Sequence, residues 1–202
     1  MEEKSYHHGD LRTAMIEKGI ELINEEGLKA LSLRKAAAAC GVSHAAPYSH
    51  FAGKDELLSA IRDHITEQFV SVLGAAVEKF GHSPEGLMNM GIAYVLFFAR
   101  NPKYFSFTFL RTNIHIDLTE NQSDSYKPFE IYKGLMLTLL DESAFPKELQ
   151  MDTIIANWAF VHGLAAVATM PGAGPAEEWE RKLPGLLCSM RITRPEERPE
   201  IN

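Results

Sequence analysis

From Lys54 to Phe80 the apolar residues fall at positions 57, 58, 61, 65, 69, 72, 73, 76, 77 and 80. This is one continuous stripe at helical period. Asp55 and Glu56 stand at its start, where the positive end of a helix dipole favours carboxylates. At 1.5 Å per residue such a helix is about 40 Å long, enough to leave one domain and brace a second. The stripe therefore predicts two helical regions on a shared strut. No segment alternates convincingly as a strand, and no repeat occurs, so the expected fold class is all-α.

The flanking sequence is punctuated at helical intervals. Asp10 is placed to cap a first helix with Leu11, Met15, Ile16, Ile20, Leu22 and Ile23 inward, closed by Gly27. Ser32 caps a short second helix with Leu33, Ala36, Ala37 and Cys40 inward, stopped by Gly41. Ser43 caps a third short helix reaching about Phe51. After the strut, Pro84 to Arg100 is apolar nearly all round and predicts a buried helix. Asn101-Pro102 opens a short aromatic helix, Thr112 to Ser125 reads as a loop, and Pro128 opens a helix through Leu140. Lys147 to Met170 and Ala176 to Met190 are two further helices, with Pro184-Gly185 expected to kink or split the last. The expected domains are 1–53, then 54–192, with 193–202 a disordered tail rich in Pro and Glu.

Composition narrows the class. The chain has 202 residues, 46% hydrophobic and 23% charged, as in soluble globular proteins. No signal-peptide plan opens it, and the stretch Leu87 to Ala99 is too short to span a bilayer, so a cytoplasmic protein is expected. Cys40 and Cys188 have no CxxC spacing and read as small thiols. The net charge of −7 argues against nucleic acid until it is mapped. Between Gly27 and Lys54 lie Lys29, Arg34, Lys35 and Lys54 and no carboxylate. Phosphate attraction is screened beyond roughly 8 Å, so this local window outweighs the total.

Two short capped helices around Gly41-Val42-Ser43 make a helix-turn-helix pattern. Ala37 allows a close helix crossing, Gly41 accepts a left-handed turn, and Val42 plugs the space between the helices. The segment Leu31 to Leu58, above all Gly41-Val42-Ser43 followed by Tyr48-x-His50-Phe51-x-x-Lys54-x-Glu56-Leu57-Leu58, resembles the DNA-binding region of the tetracycline-repressor (TetR) family. That resemblance implies a homodimeric, one-component transcription regulator, usually a repressor, that binds a palindromic operator. It implies that Ser32 and Ser43 present hydroxyl and backbone N–H donors to phosphates. Tyr48 and His50 match recognition-helix positions that touch phosphate and sugar, and Lys54 matches a phosphate-gripping lysine. Arg34, His44, Ala45 and Ala46 are the candidates to approach base edges, the two alanines offering only methyl groups to thymine. Phe51 is expected only to pack. Pro47 departs from the family pattern, since it removes an N–H and disfavours helical torsions at Ala46, which predicts an irregular first turn.

The run Tyr94 to Phe105 and the later Trp158-Ala-Phe-Val-His162-Gly163 resemble a TetR subgroup marked by a Trp…His-Gly motif. The resemblance implies a helical ligand-binding and dimerisation domain whose last two long helices, about 147–190, pair with those of a second copy. Gly163, Ala165, Ala166 and Ala168 allow close helix approach. Phe97, Phe98, Phe105, Phe109, Met88, Met136 and Trp158 are candidates to line a pocket for a small apolar effector, with His162, Tyr132 or Asn157 as polar handles. The alternative for each is ordinary core. No cofactor or metal is expected.

Two rival readings are weaker. A di-iron helical enzyme needs Glu-x-x-His motifs, and no histidine here has a glutamate three residues before it; HExxH and the P-loop are absent as well. A helical protein-interaction module without DNA binding draws support from the acidic total and Pro47.

Overall fold

A computed structural model describes residues 8–110, 114–116 and 126–189. These residues form helices α1 (His8–Glu26), α2 (Leu33–Ala39), α3 (Lys54–Phe80), α4 (Pro84–Arg100), α5 (Pro102–Leu110), α6 (Lys127–Glu142), α7 (Lys147–Ala168) and α8 (Ala176–Cys188), with 3₁₀ turns at Leu28–Ala30 and Ala46–Ser49. No strand occurs among the described residues, and the fold is all-α. The expected tail 193–202, Met190 and most of the Thr112–Ser125 loop lie outside the described residues.

The chain divides into two compact units, up to Glu67 and from Gln68. The junction falls inside α3. The first half of that helix belongs to the N-terminal unit because Leu57, Ala60, Ile61 and Ile65 are buried there with Met15, Ile16, Ile20 and Leu31 of the same unit. Gly19 marks the closest approach: a Cβ there would meet Ile61 Cδ1 at 2.7 Å. Helix α1 begins at His8, so Asp10 lies inside it rather than capping it.

In the C-terminal unit α4 is the central helix, packed on α7 and α8 and flanked by α5 and α6. Ser83 caps α4 by accepting the Gly86 N–H at 3.0 Å. Position 86 tolerates no side chain, since a Cβ would collide with the Gly81 carbonyl oxygen. Asn101 closes α4 and opens α5: its side-chain amide donates to the Phe97 carbonyl at 3.0 Å, and its own carbonyl accepts the Tyr104 N–H at 2.9 Å. Helix α8 runs unbroken through Pro184, which is exposed, so the carbonyl it leaves unpaired has access to water. Helix α7 is long and apolar enough to cross a bilayer, yet Gln150, Thr153 and Asn157 lie on its buried face, as in a core helix.

Candidate nucleic-acid interface

The N-terminal unit builds a corner from residues 27 to 57. Ser32 has extended torsions and accepts the Lys35 N–H at 3.2 Å, which starts α2. Leu33, Ala36 and Ala37 face inward, and Ala36 and Ala37 are wholly buried. Helix α2 ends in a Schellman turn. Gly41, at φ +71°, donates to Ala38 O at 3.1 Å, and Val42 donates to Ala37 O at 3.1 Å. Val42 is half-buried. The left-handed residue reverses the chain within three positions and delivers Ser43 to Ala45 to solvent.

The next segment is not an α-helix. Ala46 N–H donates to Ser43 O at 3.1 Å and Tyr48 N–H to Ala45 O at 3.2 Å, both three residues back. The predicted α-helix from Ser43 to Phe51 is therefore replaced by a turn and the four-residue 3₁₀ segment Ala46–Ser49. Pro47 supplies the reason. It has no N–H to reach the Ser43 carbonyl in α fashion, and that carbonyl takes Ala46 N–H instead. The ring of Pro47 is buried and fills a packing position, so the backbone pattern changes while the corner keeps its core. An α-type bond returns only where Phe51 N–H reaches Pro47 O at 2.9 Å. Phe51 is buried, with the Arg12 guanidinium 5.5 Å from its ring centroid. Ser43 makes no side-chain cap; the cap position falls on Ala45.

The structure places the nominated residues unequally. Arg34, Ser43, His44, Ala45 and Tyr48 are exposed, whereas Ser32, Ala46, His50 and Lys54 are half-buried. Tyr48 is 65% exposed, an unusual position for a large aromatic ring with no partner element over it. The Ala46 carbonyl accepts the Ser49 hydroxyl at 2.8 Å. Lys54 opens α3 and its Nζ lies 3.4 Å from the Leu28 carbonyl oxygen, a long bond that a stronger acceptor can replace. Glu56 reaches back to the Ala52 N–H at 2.6 Å and fixes the entry of the same helix.

The local positive charge is smaller than the four cations suggest. Lys35 is paired with Glu26 at 2.7 Å. Lys29, Arg34 and Lys54 remain for an anion. Lys29 adjoins Leu28, the residue that Lys54 touches, so the two ammonium-bearing residues share one edge. Sequence reasoning did not nominate Lys29, because the 3₁₀ turn that presents it has no periodic pattern; the left-handed Gly27 (φ +86°) before it is the available signal.

In the C-terminal unit the nominated effector residues do not share one cavity. Tyr132 and Trp158 line a cleft with Leu73, Met90, Tyr94 and Asn157. Its free space is about 20 Å³, room for about one water. Phe98, Phe105, Phe109 and His162 instead meet edge-on or tilted in one cluster, with ring centroids 4.6–5.5 Å apart. Met136 is fully buried, and Phe97 lines a different groove, on the α3 side of α4. His162 Nδ1 lies 2.8 Å from the Tyr94 hydroxyl. Burial pushes the Tyr94 phenol well up and the His162 imidazole down, which favours the neutral form of both. Tyr132 donates to the Ile154 carbonyl at 2.9 Å, and burial raises its phenol too.

Residues 15–61 match the family model described as bacterial regulatory proteins, tetR family. No curated protein matches the chain. Among solved structures, a protein of unknown function from Rhodococcus sp. RHA1 is 22% identical, with a TM-score of 0.72 over 93% of this chain and 99% of that one. A transcriptional regulator of the TetR/AcrR family from Thermobifida fusca is 21% identical, with a TM-score of 0.62 over 88% and 96%. The TetR family regulator PfmR from Thermus thermophilus is 19% identical, with a TM-score of 0.59 over 86% and 97%. At these identities the likeness is one of fold.

Proposed function

We propose that this chain is a cytoplasmic, non-enzymatic transcriptional repressor of the TetR family that binds a palindromic DNA operator as a homodimer. The observation that carries the reading is the exposed Tyr48 on a corner built by the Schellman turn at Gly41, inside the segment that matches the family model. Tyr48, His50, Lys54 and the two serines Ser32 and Ser43 serve phosphate and sugar, and Lys29 adds a cation that the motif alone did not suggest. Arg34, His44 and Ala45 serve base edges. Lys29 and Lys54 face phosphate in each protomer, four cations per dimer, which corresponds to a log–log salt slope of about −4. A gel shift on DNA upstream of the coding region, repeated across salt, tests this. A flat salt response would favour helix packing and the interaction-module reading instead.

The dimer face is α7 with α8. Helix α7 is apolar on nearly every side, and Ala156, Ala159, Gly163 and Val167 form an exposed stripe continued by Met170. An exposed apolar stripe of small residues calls for cover by a second copy. The effector is small and largely apolar, and it enters the cleft between Tyr132 and Trp158. Because that cleft is nearly full, entry has to spread α4 from α7, and this displacement is the source of operator release. Effector and operator affinities are then reciprocally coupled. The Trp158…His162-Gly163 run supports the subgroup suggested by sequence, with Tyr94 as the partner of its histidine.

A further inference from the structure

The Tyr132–Trp158 cleft is small, but the surface of the C-terminal unit offers more room. A groove of about 420 Å³ lies between the second half of α3 and helix α4, with Glu180 contributed by α8. That volume is in the range of small-molecule sites. Its floor is apolar: Ala76, Leu96 and Phe97 are buried there, and Val72 and Ile92 stand partly exposed beside them. Two exposed cations, Lys79 and Arg100, also line it.

The charges are arranged for capture rather than for structure. Lys79 Nζ sits 5.0 Å from the Phe80 ring centroid, and no carboxylate among the described residues pairs with it. Arg100 meets Glu180 at 3.2 Å, but both side chains are more than half exposed, so the pair is weak. Two cations against one carboxylate leave one net positive charge over an apolar floor. A single anionic head on an apolar body satisfies both parts; a dianionic phosphate would exceed the charge, and a neutral lipid would leave it unused. A partner protein is a poor fit, because a specific protein interface buries on the order of 800 Å² per side.

We propose that this groove binds an amphipathic monocarboxylate, its carboxylate held by Lys79 and Arg100 and its apolar body laid on Val72, Ala76, Ile92 and Leu96. The site is separate from the Tyr132–Trp158 cleft and does not rest on the DNA-binding reading. Helix α3 supplies one wall of the groove.

Isothermal titration of the full chain with decanoate below its micelle concentration is the test. One saturable site per chain is expected. The double variant Lys79→Gln/Arg100→Gln should weaken binding about tenfold or more, as loss of charge-assisted hydrogen bonds does. Decan-1-ol should bind the unaltered chain about tenfold more weakly than decanoate, for the same reason. Val72→Glu, at an exposed position that folding tolerates, should abolish binding, and Glu180→Gln should tighten it about twofold by releasing Arg100. Tyr132→Phe, in the separate cleft, should leave it unchanged. No saturable binding, equal affinity for the alcohol, indifference to the double variant, or a loss in Tyr132→Phe as large as in Val72→Glu would each overturn the proposal.

Discussion

The two units use opposite means to present function. In the N-terminal unit the candidate residues stand outside a small core, on a corner fixed by one left-handed glycine and a run of short backbone bonds. In the C-terminal unit the candidate effector residues are buried or half-buried side chains, several of them in a cluster of aromatic rings around Phe98 with a Tyr94–His162 pair at its edge. A surface residue can be altered at little cost in stability, whereas a residue of the aromatic cluster cannot. The contrast therefore predicts which measurements respond to which substitutions.

The largest effect is expected from Phe98→Ala. Phe98 is fully buried among five rings, so truncation should destabilise the chain by about 3–5 kcal/mol in urea unfolding. A loss below about 1 kcal/mol would mean that the cluster is a slack pocket lining after all. Next come the corner variants. Lys54→Ala should weaken operator binding by about 1.5–3 kcal/mol, and Tyr48→Phe by about 0.5–1.5 kcal/mol, both with the unfolding midpoint nearly unchanged. Unaltered affinity in both would break the contact assignment.

Pro47→Val sharpens the account of the corner. The new N–H at position 47 can reach the Ser43 carbonyl, so the ¹³Cα shifts of residues 46–49 should move toward helical values. Global stability should change by less than about 1.5 kcal/mol, because volume and burial are nearly kept. Persistence of the 3₁₀ pattern would show that something other than the proline imposes it.

The smallest effect concerns His162. Its pKa is lowered by burial, so the unfolded chain binds the proton more readily than the native one. The stability held by the neutral imidazole is complete above the ordinary histidine range and is lost as pH falls through about 6.5. Urea midpoints at pH 8 and pH 5.5 should therefore differ less in His162→Gln than in the unaltered chain. An identical difference in both would assign the pH dependence elsewhere.

Much of the fold was legible in the sequence because helix ends carry chemistry. The strut from Lys54 to Phe80, helix Pro84–Arg100, and the starts at Lys147 and Ala176 are where the stripe, serine and proline signals place them. The Gly41 turn was legible for the same reason. The 3₁₀ replacement at Ala46–Ser49 was only half legible: Pro47 announces that an α bond is missing, but not that its ring stays buried while the backbone tightens around it. The effector residues were least legible. A Phe or Met at helical spacing gives the same pattern whether it faces a void or another ring, and only packing separates Tyr132 and Trp158 from Phe105 and Phe109. The groove at Lys79 and Arg100 was missed because its parts come from three helices, and no local spacing brings them together.

The central claim is that two copies of the Ser32–Lys54 corner read one duplex. Hydroxyl-radical footprinting on a duplex selected from random sequence by the full chain tests it most directly. The account predicts two protected patches related by two-fold symmetry, centred about 10 base pairs or a multiple of that apart, both lost in Lys54→Ala. A single patch, protection without symmetry, or no protected duplex at any salt concentration would contradict it.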